Sequence, residues 1–277
     1  MPMATGPNDR LRIIVFGAHP DDCEHRVGGT AALWARMGHM VKFVSLTNGD
    51  AGHHSEGGGP LAARRRAESA EAARRLGIAE SIVLDTHDGE LLPVLERRHR
   101  VIREIRKWNA GLVLAHRTTD YHPDHRYTGV LVQDAAFLVA VPNVCPDTPA
   151  LRRNPVFMYY EDGFRRPVPF RPDVAVDITD AFELKMDALD AHVSQFYEWL
   201  PWLDGRLADV PRHVAERRRW LAANWGAEPA EAVRESLARW YGAERAARVR
   251  HAEAFELCEH GAQAGEAALR RLFPMIG

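Results

Sequence analysis

The sequence predicts an α/β fold: a Rossmann-like, mostly parallel sheet flanked by helices, with a helical C-terminal extension. Three observations predict it. Short β-branched runs alternate with Ala-, Glu- and Arg-rich helical segments through the first half of the chain. Those runs are continuously apolar, as strands buried on both faces must be. The chain also has 277 residues, 46% of them hydrophobic, enough for one large core.

The elements follow in order. RIIVFGAH is a first strand that ends abruptly in His19-Pro20-Asp21-Asp22. Gly28-Gly29-Thr30 opens an Ala/Leu-rich helix that runs to about Met37, with Thr30 as its N-cap. VKFVSLT (41–47) is a second strand, which completes a βαβ unit with a right-handed crossover. NGDAGHHSEGGGP (48–60) is a glycine-rich loop, and LAARRRAESAEAARRLGI (61–78) has strong helix formers throughout. SIVLD is a third strand, residues 94–107 form a charged amphipathic helix, and GLVLAH (111–116) is a fourth strand. After the loop RTTDYHPDH a helix runs from about Tyr127 to Val139, and the four prolines of 141–155 mark a loop. VFMYYE (156–161) and VAVDIT (174–179) are later strands, and from about Ala181 the chain reads as mostly helical. The expected organisation is a loose arm over 1–10, one domain over 11–204, and a helical extension over 205–277 packed on that domain.

Composition excludes several functions. Lys and Arg total 36 against 38 Asp and Glu, so no excess of positive charge speaks for nucleic acid. The arginine runs at 64–66, 97–106 and 217–219 have acidic neighbours and read as solvated helix faces, Arg65 excepted. Cys23, Cys145 and Cys258 lie far apart, which is no disulfide framework and fits a reducing compartment. The N-terminus lacks a signal-peptide core, and no apolar run approaches the ~20 residues that span a bilayer. A soluble cytoplasmic protein is expected.

Ligands of open parallel sheets bind beyond the carboxyl ends of the strands. There the sequence concentrates histidines and carboxylates: His19, Asp21 and Asp22 after the first strand; Asp50, His53 and His54 after the second; Asp85, His87 and Asp88 after the third; Asp120, His122, Asp124 and His125 after the fourth. A nucleotide is disfavoured, because the first turn has neither GxGxxG nor a P-loop and sets two carboxylates where a phosphate would sit. The same carboxylates suit a cation. His53 and His54 flank the active face and divide evenly between substrate contact and a mobile loop, while Asp50 reads as a turn residue.

AHPDD followed by GGT, TNGDAG after the second strand and HPDH after the fourth together resemble the PIG-L / LmbE-like family of zinc-dependent N-deacetylases, over roughly residues 11–200. The resemblance implies zinc ligands at His19, Asp22 and His125, with Fe²⁺ as an alternative metal. It implies a general base at Asp21, an oxyanion-stabilising, protonated His122, and Asp124 as the carboxylate that orients His122. It places Arg65 and Asp88 against the sugar. Many members have Glu directly after the two aspartates; here Cys23 intervenes before Glu24. His192 in HVSQF matches a recurring family motif, with a packing role as good a reading as substrate contact. The implied activity is removal of an acetyl group from an N-acetylated amino sugar or its conjugate by a homo-oligomer. The competing readings are an amidase acting on a thiol-sugar conjugate or other secondary amide, and a non-enzymatic sugar-binding protein on the same scaffold.

Overall fold

The computed structural model describes residues 10–226, 229 and 231–276, so all of the expected arm but Arg10 lies outside the described residues. The β-branched runs become β1 (Arg12–Gly17), β2 (Met40–Thr47), β3 (Glu80–Thr86), β4 (Leu112–Ala115), β5 (Val156–Tyr160) and β6 (Val174–Asp177). Among the described residues they form, with a further strand β7 (Ala252–Gly261), a sheet of order β3-β2-β1-β4-β5-β7-β6. The first five pair in parallel, with Val15 opposite Phe43 of β2 on one side and Leu114 of β4 on the other. Alternate residues of β1 then serve two cores. Ile13 and Val15 pack with Trp34, Phe43 and the C-terminal Phe273 on one face, and Ile14 and Phe16 pack with Val44, Ile105 and Leu131 on the other. The strand order reverses between β1 and β4, which opens the crevice for a ligand at their carboxyl ends.

Helices connect these strands: α1 (Asp22–Arg36), α2 (Gly58–Leu76), α3 (Leu95–Trp108) and α4 (Pro123–Leu138). Three begin earlier than the sequence predicts, α2 by three residues. Helix α1 starts at Asp22, and Thr30 is a buried residue in its middle, not its cap. The glycine pair serves close packing: a Cβ on Gly29 would lie 2.7 Å from Cδ1 of Ile178. It also opens the backbone to Glu253, whose carboxylate accepts from the amides of Gly29 and Thr30 at 2.9 and 2.7 Å. Helix α4 starts at Pro123, a favoured first position, with His122 as its N-cap. HPDH therefore straddles a helix start.

The tail holds α5 (Phe182–Ala191), a π-helical turn at Ser194–Trp199, α6 (Leu200–Leu203), α7 (Val214–Trp225), α8 (Glu231–Tyr241), α9 (Ala243–Arg248) and α10 (Glu266–Leu272). It is mostly helical, as expected, with one strand that the sequence did not announce. Strand β7 (Ala252–Gly261) inserts between β5 and β6, antiparallel to both. Its Ala/Glu-rich sequence has poor strand propensity, and tertiary context overrides that: Glu253 is buried, bonded to Lys185 at 2.8 Å and to the two amides of α1. No described helix is long and apolar enough to cross a membrane.

One buried cation ties down the opposite end of the sheet. The guanidinium of Arg106 donates to the carbonyls of Leu138, Val139, Val141, Val144, Cys145 and Thr148 at 2.5–3.0 Å. It thereby satisfies the last carbonyls of α4 and the proline-rich loop after it. Arg106→Ala strands those buried acceptors, and denaturant unfolding is expected to show a loss of about 4 kcal/mol or more. A loss under about 1 kcal/mol would contradict this role.

Candidate active site

The site starts from a tight turn between β1 and α1. Asp22 Oδ2 accepts from the amides of Ala18 and His19, both at 2.8 Å. Gly17 permits this, because a Cβ there would lie 2.8 Å from that of Asp22. With Oδ2 engaged, Oδ1 faces the ring of His125 from the first turn of α4, 3.5 Å from Nε2. His19 Nδ1 is 3.2 Å from the same Nε2 and 3.6 Å from Asp22 Oδ2. Donor atoms about 2.0–2.1 Å from a tetrahedral zinc ion stand about 3.4 Å apart, and the contacts of Asp22 with the two histidines, one through each oxygen, approach that spacing.

Each donor has a partner behind it that selects the atom it presents. Asp88 Oδ1 lies 2.9 Å from His19 Nε2, which leaves Nδ1 for the ion. Asp120 Oδ1 lies 3.1 Å from His125 Nδ1, which leaves Nε2. His116 Nε2 lies 3.2 Å from Asp22 Oδ2, and its ring stacks on that of His125 at 4.2 Å. Such partners fix the orientation of metal ligands. The field is that of a cation site. Burial alone lowers the pKa of His19, yet Asp124, Asp22 and Asp88 outweigh burial and hold it well above the ordinary value. Burial raises the carboxyl of Asp22, and His125 and His116 more than reverse this, leaving it well below the usual range. Asp88 falls to about 2: burial opposes ionisation, but contact with His19 and the charges of His19 and Arg65 prevail.

The structure corrects the roles of several residues. Asp124 is expected to orient His122, but its carboxylate accepts from the amides of Gly89 and Leu91 and comes within 3.4 Å of His19 Nε2. What it gives His122 is its backbone N–H, which donates to Nδ1 at 3.2 Å. The ring proton of a neutral His122 therefore sits on Nε2. Burial, then the charges of His19 and His125, lower its pKa, which works against the protonated His122 of the sequence reading. Asp88 packs against His19 as well as lining the cleft. Arg65 is 1% exposed and held by Gly49 O, Pro20 O, Asp21 Oδ1 and Gln195 Oε1, so its guanidinium grips the wall of the site rather than standing free for a sugar. His53 and His54 line no part of the cleft. His53 Nε2 contacts Glu198 at 3.0 Å, and His54 stacks on Trp202 at 5.4 Å. Cys23 Sγ faces Val15 O, within the core.

Asp21 stands at φ 146° and ψ −27°, a conformation that side chains other than glycine's rarely adopt. Its carboxylate meets Arg65 Nη2 at 3.1 Å. Burial pushes its pKa up to about 6, against the opposing pull of Arg65. A buried, strained carboxylate tuned towards neutrality beside a cation site has the properties of a general base.

His116 escaped the sequence reading because it closes an apolar strand outside any motif. The signal that could have found it was a histidine at the carboxyl end of β4, across the switch point from Asp22. Its pKa falls to about 4, chiefly through burial and then through His125, so it meets Asp22 as a neutral ring. His116→Ala is expected to weaken zinc binding about 10–100-fold, measured by competition with a chelator. Unchanged affinity would show that the Ala18 and His19 amides orient Asp22 unaided.

These groups open into a cleft of about 570 Å³, whose outer walls include Tyr121, Phe164, Trp199 and Trp225. Comparison with known proteins gives the context. A family model described as PIG-L, GlcNAc-PI de-N-acetylase, matches residues 14–136. The diacetylchitobiose deacetylase of Thermococcus kodakarensis is 32% identical over 210 residues, 71% of this chain and 76% of that protein. A 4-oxalmesaconate hydratase of Pseudomonas putida is 27% identical over 194 residues, 67% of this chain and 74% of that protein. Among solved structures, the N,N'-diacetylchitobiose deacetylase of Pyrococcus horikoshii superposes with a TM-score of 0.68 at 28% identity, over 91% of this chain and 85% of that one. The AHPDD and HPDH segments that build the donor set both lie inside the matched region, and the chain belongs to the PIG-L family.

Proposed function

We propose that the chain is a zinc-dependent N-deacetylase that removes the acetyl group from the amide nitrogen of an N-acetylated amino sugar or its conjugate. The observation that carries this reading is the convergence of His19 Nδ1, His125 Nε2 and Asp22 within 3.2–3.6 Å, in a cleft that Asp21 and His122 also line. A divalent ion held by those three residues supplies Lewis acidity, which acidifies water and polarises the amide carbonyl. The remaining work falls to the chain. Asp21, fixed by Arg65, takes the proton of the attacking water and returns it to the departing nitrogen. His122 donates its Nε2–H to the amide oxygen as negative charge develops there. The carbon–nitrogen bond breaks, and acetate and a free amine leave.

The relatives named as deacetylases support this reaction class, and the sheet's switch-point crevice supports a small-molecule substrate. The hydratase relative favours a second reading, addition of water to a carbon–carbon double bond at the same site. Acetate release from N-acetylglucosamine conjugates by the zinc-loaded protein separates the two. Stoichiometric acetate and amine support deacetylation. No acetate, with hydration of an unsaturated dicarboxylate, would replace it.

A further inference from the structure

Helix α2 holds the π-helical turn at Ser194–Trp199 through three side chains. Arg64 meets Glu198 at 2.7 Å. Glu68 accepts from the amide and the hydroxyl of Ser194 at 3.0 and 2.5 Å. Arg65 Nη2 donates to Gln195 Oε1 at 2.6 Å. The turn also closes on itself, since the amides of Gln195 and Phe196 both donate to the carbonyl of His192, at 3.1 and 3.0 Å. Single π turns of this kind are frequent at functional sites. This one sets the half-buried side chain of Gln195 in the wall of the cleft.

A guanidinium only donates, so the atom that meets Arg65 is the carboxamide oxygen, and Nε2 faces elsewhere. The N–H groups of Nε2 find no acceptor among the described residues. The same nitrogen of Arg65 also meets Asp21 Oδ1 at 3.1 Å, so these free donors stand next to the general base. Asp21 returns its proton to the departing nitrogen, which makes this the nitrogen side of the amide, while His122 serves the oxygen side. In an amino sugar, the carbons on either side of the amide-bearing one both carry oxygen. We propose that Gln195 is a specificity-determining residue whose Nε2–H donates to one of those two oxygens, the glycosidic oxygen or the hydroxyl vicinal to the amide. This rests on the deacetylase reading. The site then prefers amides flanked by oxygen over simple secondary amides, because a substrate without that oxygen leaves the Gln195 donors unpaired.

The test uses the zinc-loaded full chain and three probes: methyl N-acetylglucosaminide, its 3-deoxy derivative, and the 1-deoxy sugar that lacks the glycosidic oxygen. Acetate release is measured as kcat/KM, with calorimetric binding alongside, for wild type, Gln195→Met and Gln195→Glu. Methionine keeps the length of the side chain and removes the carboxamide, whereas glutamate keeps an acceptor for Arg65 and removes only the donors. Wild type is expected to favour the parent over one deoxy probe by about 10-fold or more, and Gln195→Met to erase this preference by losing activity on the parent. The penalised probe decides between the two oxygens. Gln195→Glu, whose fold the Arg65 pair secures, is expected to lose a preference for the glycosidic oxygen outright. It keeps part of a preference for the hydroxyl, which can itself donate to a carboxylate. A wild type that treats all three probes alike, or variants that lose equally on all three, overturns the proposal and leaves Gln195 as a support for Arg65. If no probe releases acetate, the same pattern in the binding constants upholds Gln195 as the donor and overturns the deacetylase reading instead.

Discussion

Asp21→Asn is expected to keep its metal and lower kcat by about 10²–10⁴-fold. Asparagine preserves the oxygen that accepts from Arg65 at 3.1 Å but cannot take a proton from water. A purely structural aspartate would instead show its loss in metal content or melting temperature. The same position should expose a conflict between function and stability. At φ 146° an aspartate is strained by about 1–3 kcal/mol, and burial disfavours its ionised form. Asp21→Gly relieves both and is expected to melt no lower than wild type at neutral pH while losing turnover. A variant with wild-type kcat would remove Asp21 from the reaction.

The second large effect belongs to the metal. Chelation of the wild type is expected to lower acetate release at least about 10³-fold, and added zinc to restore it. His125→Ala should fall as far and not recover with zinc. It loses the Nε2 shared with His19 and Asp22 and also the stacking partner of His116 at 4.2 Å. Activity that survives chelation would place the chemistry elsewhere in the cleft.

How much of this was legible in the sequence follows from where each signal lives. His19, Asp22 and His125 could be read because their motifs follow apolar strands whose carboxyl ends must converge in a parallel sheet. The target of Asp124 could not. HPDH places it next to His122, and only the start of α4 at Pro123 turns the carboxylate towards Gly89, Leu91 and His19. Arg65 is buried as its exception from the arginine runs implied, but Arg106 is buried as well, against the expectation of a solvated face, and the burial of Arg65 against Asp21 and Gln195 depends on the π-helical turn at Ser194–Trp199, over a hundred residues away. The first four strands were plain from their apolar runs, whereas β7 was hidden. Its stability comes from Glu253 meeting Lys185 and α1, long-range contacts with no local pattern.

The central claim is that one divalent ion sits among His19, Asp22 and His125. Elemental analysis of untagged protein, purified without chelator, tests it most directly. The account predicts about one zinc or iron per chain. Protein that carries no metal, and takes up none when titrated with zinc, would contradict it.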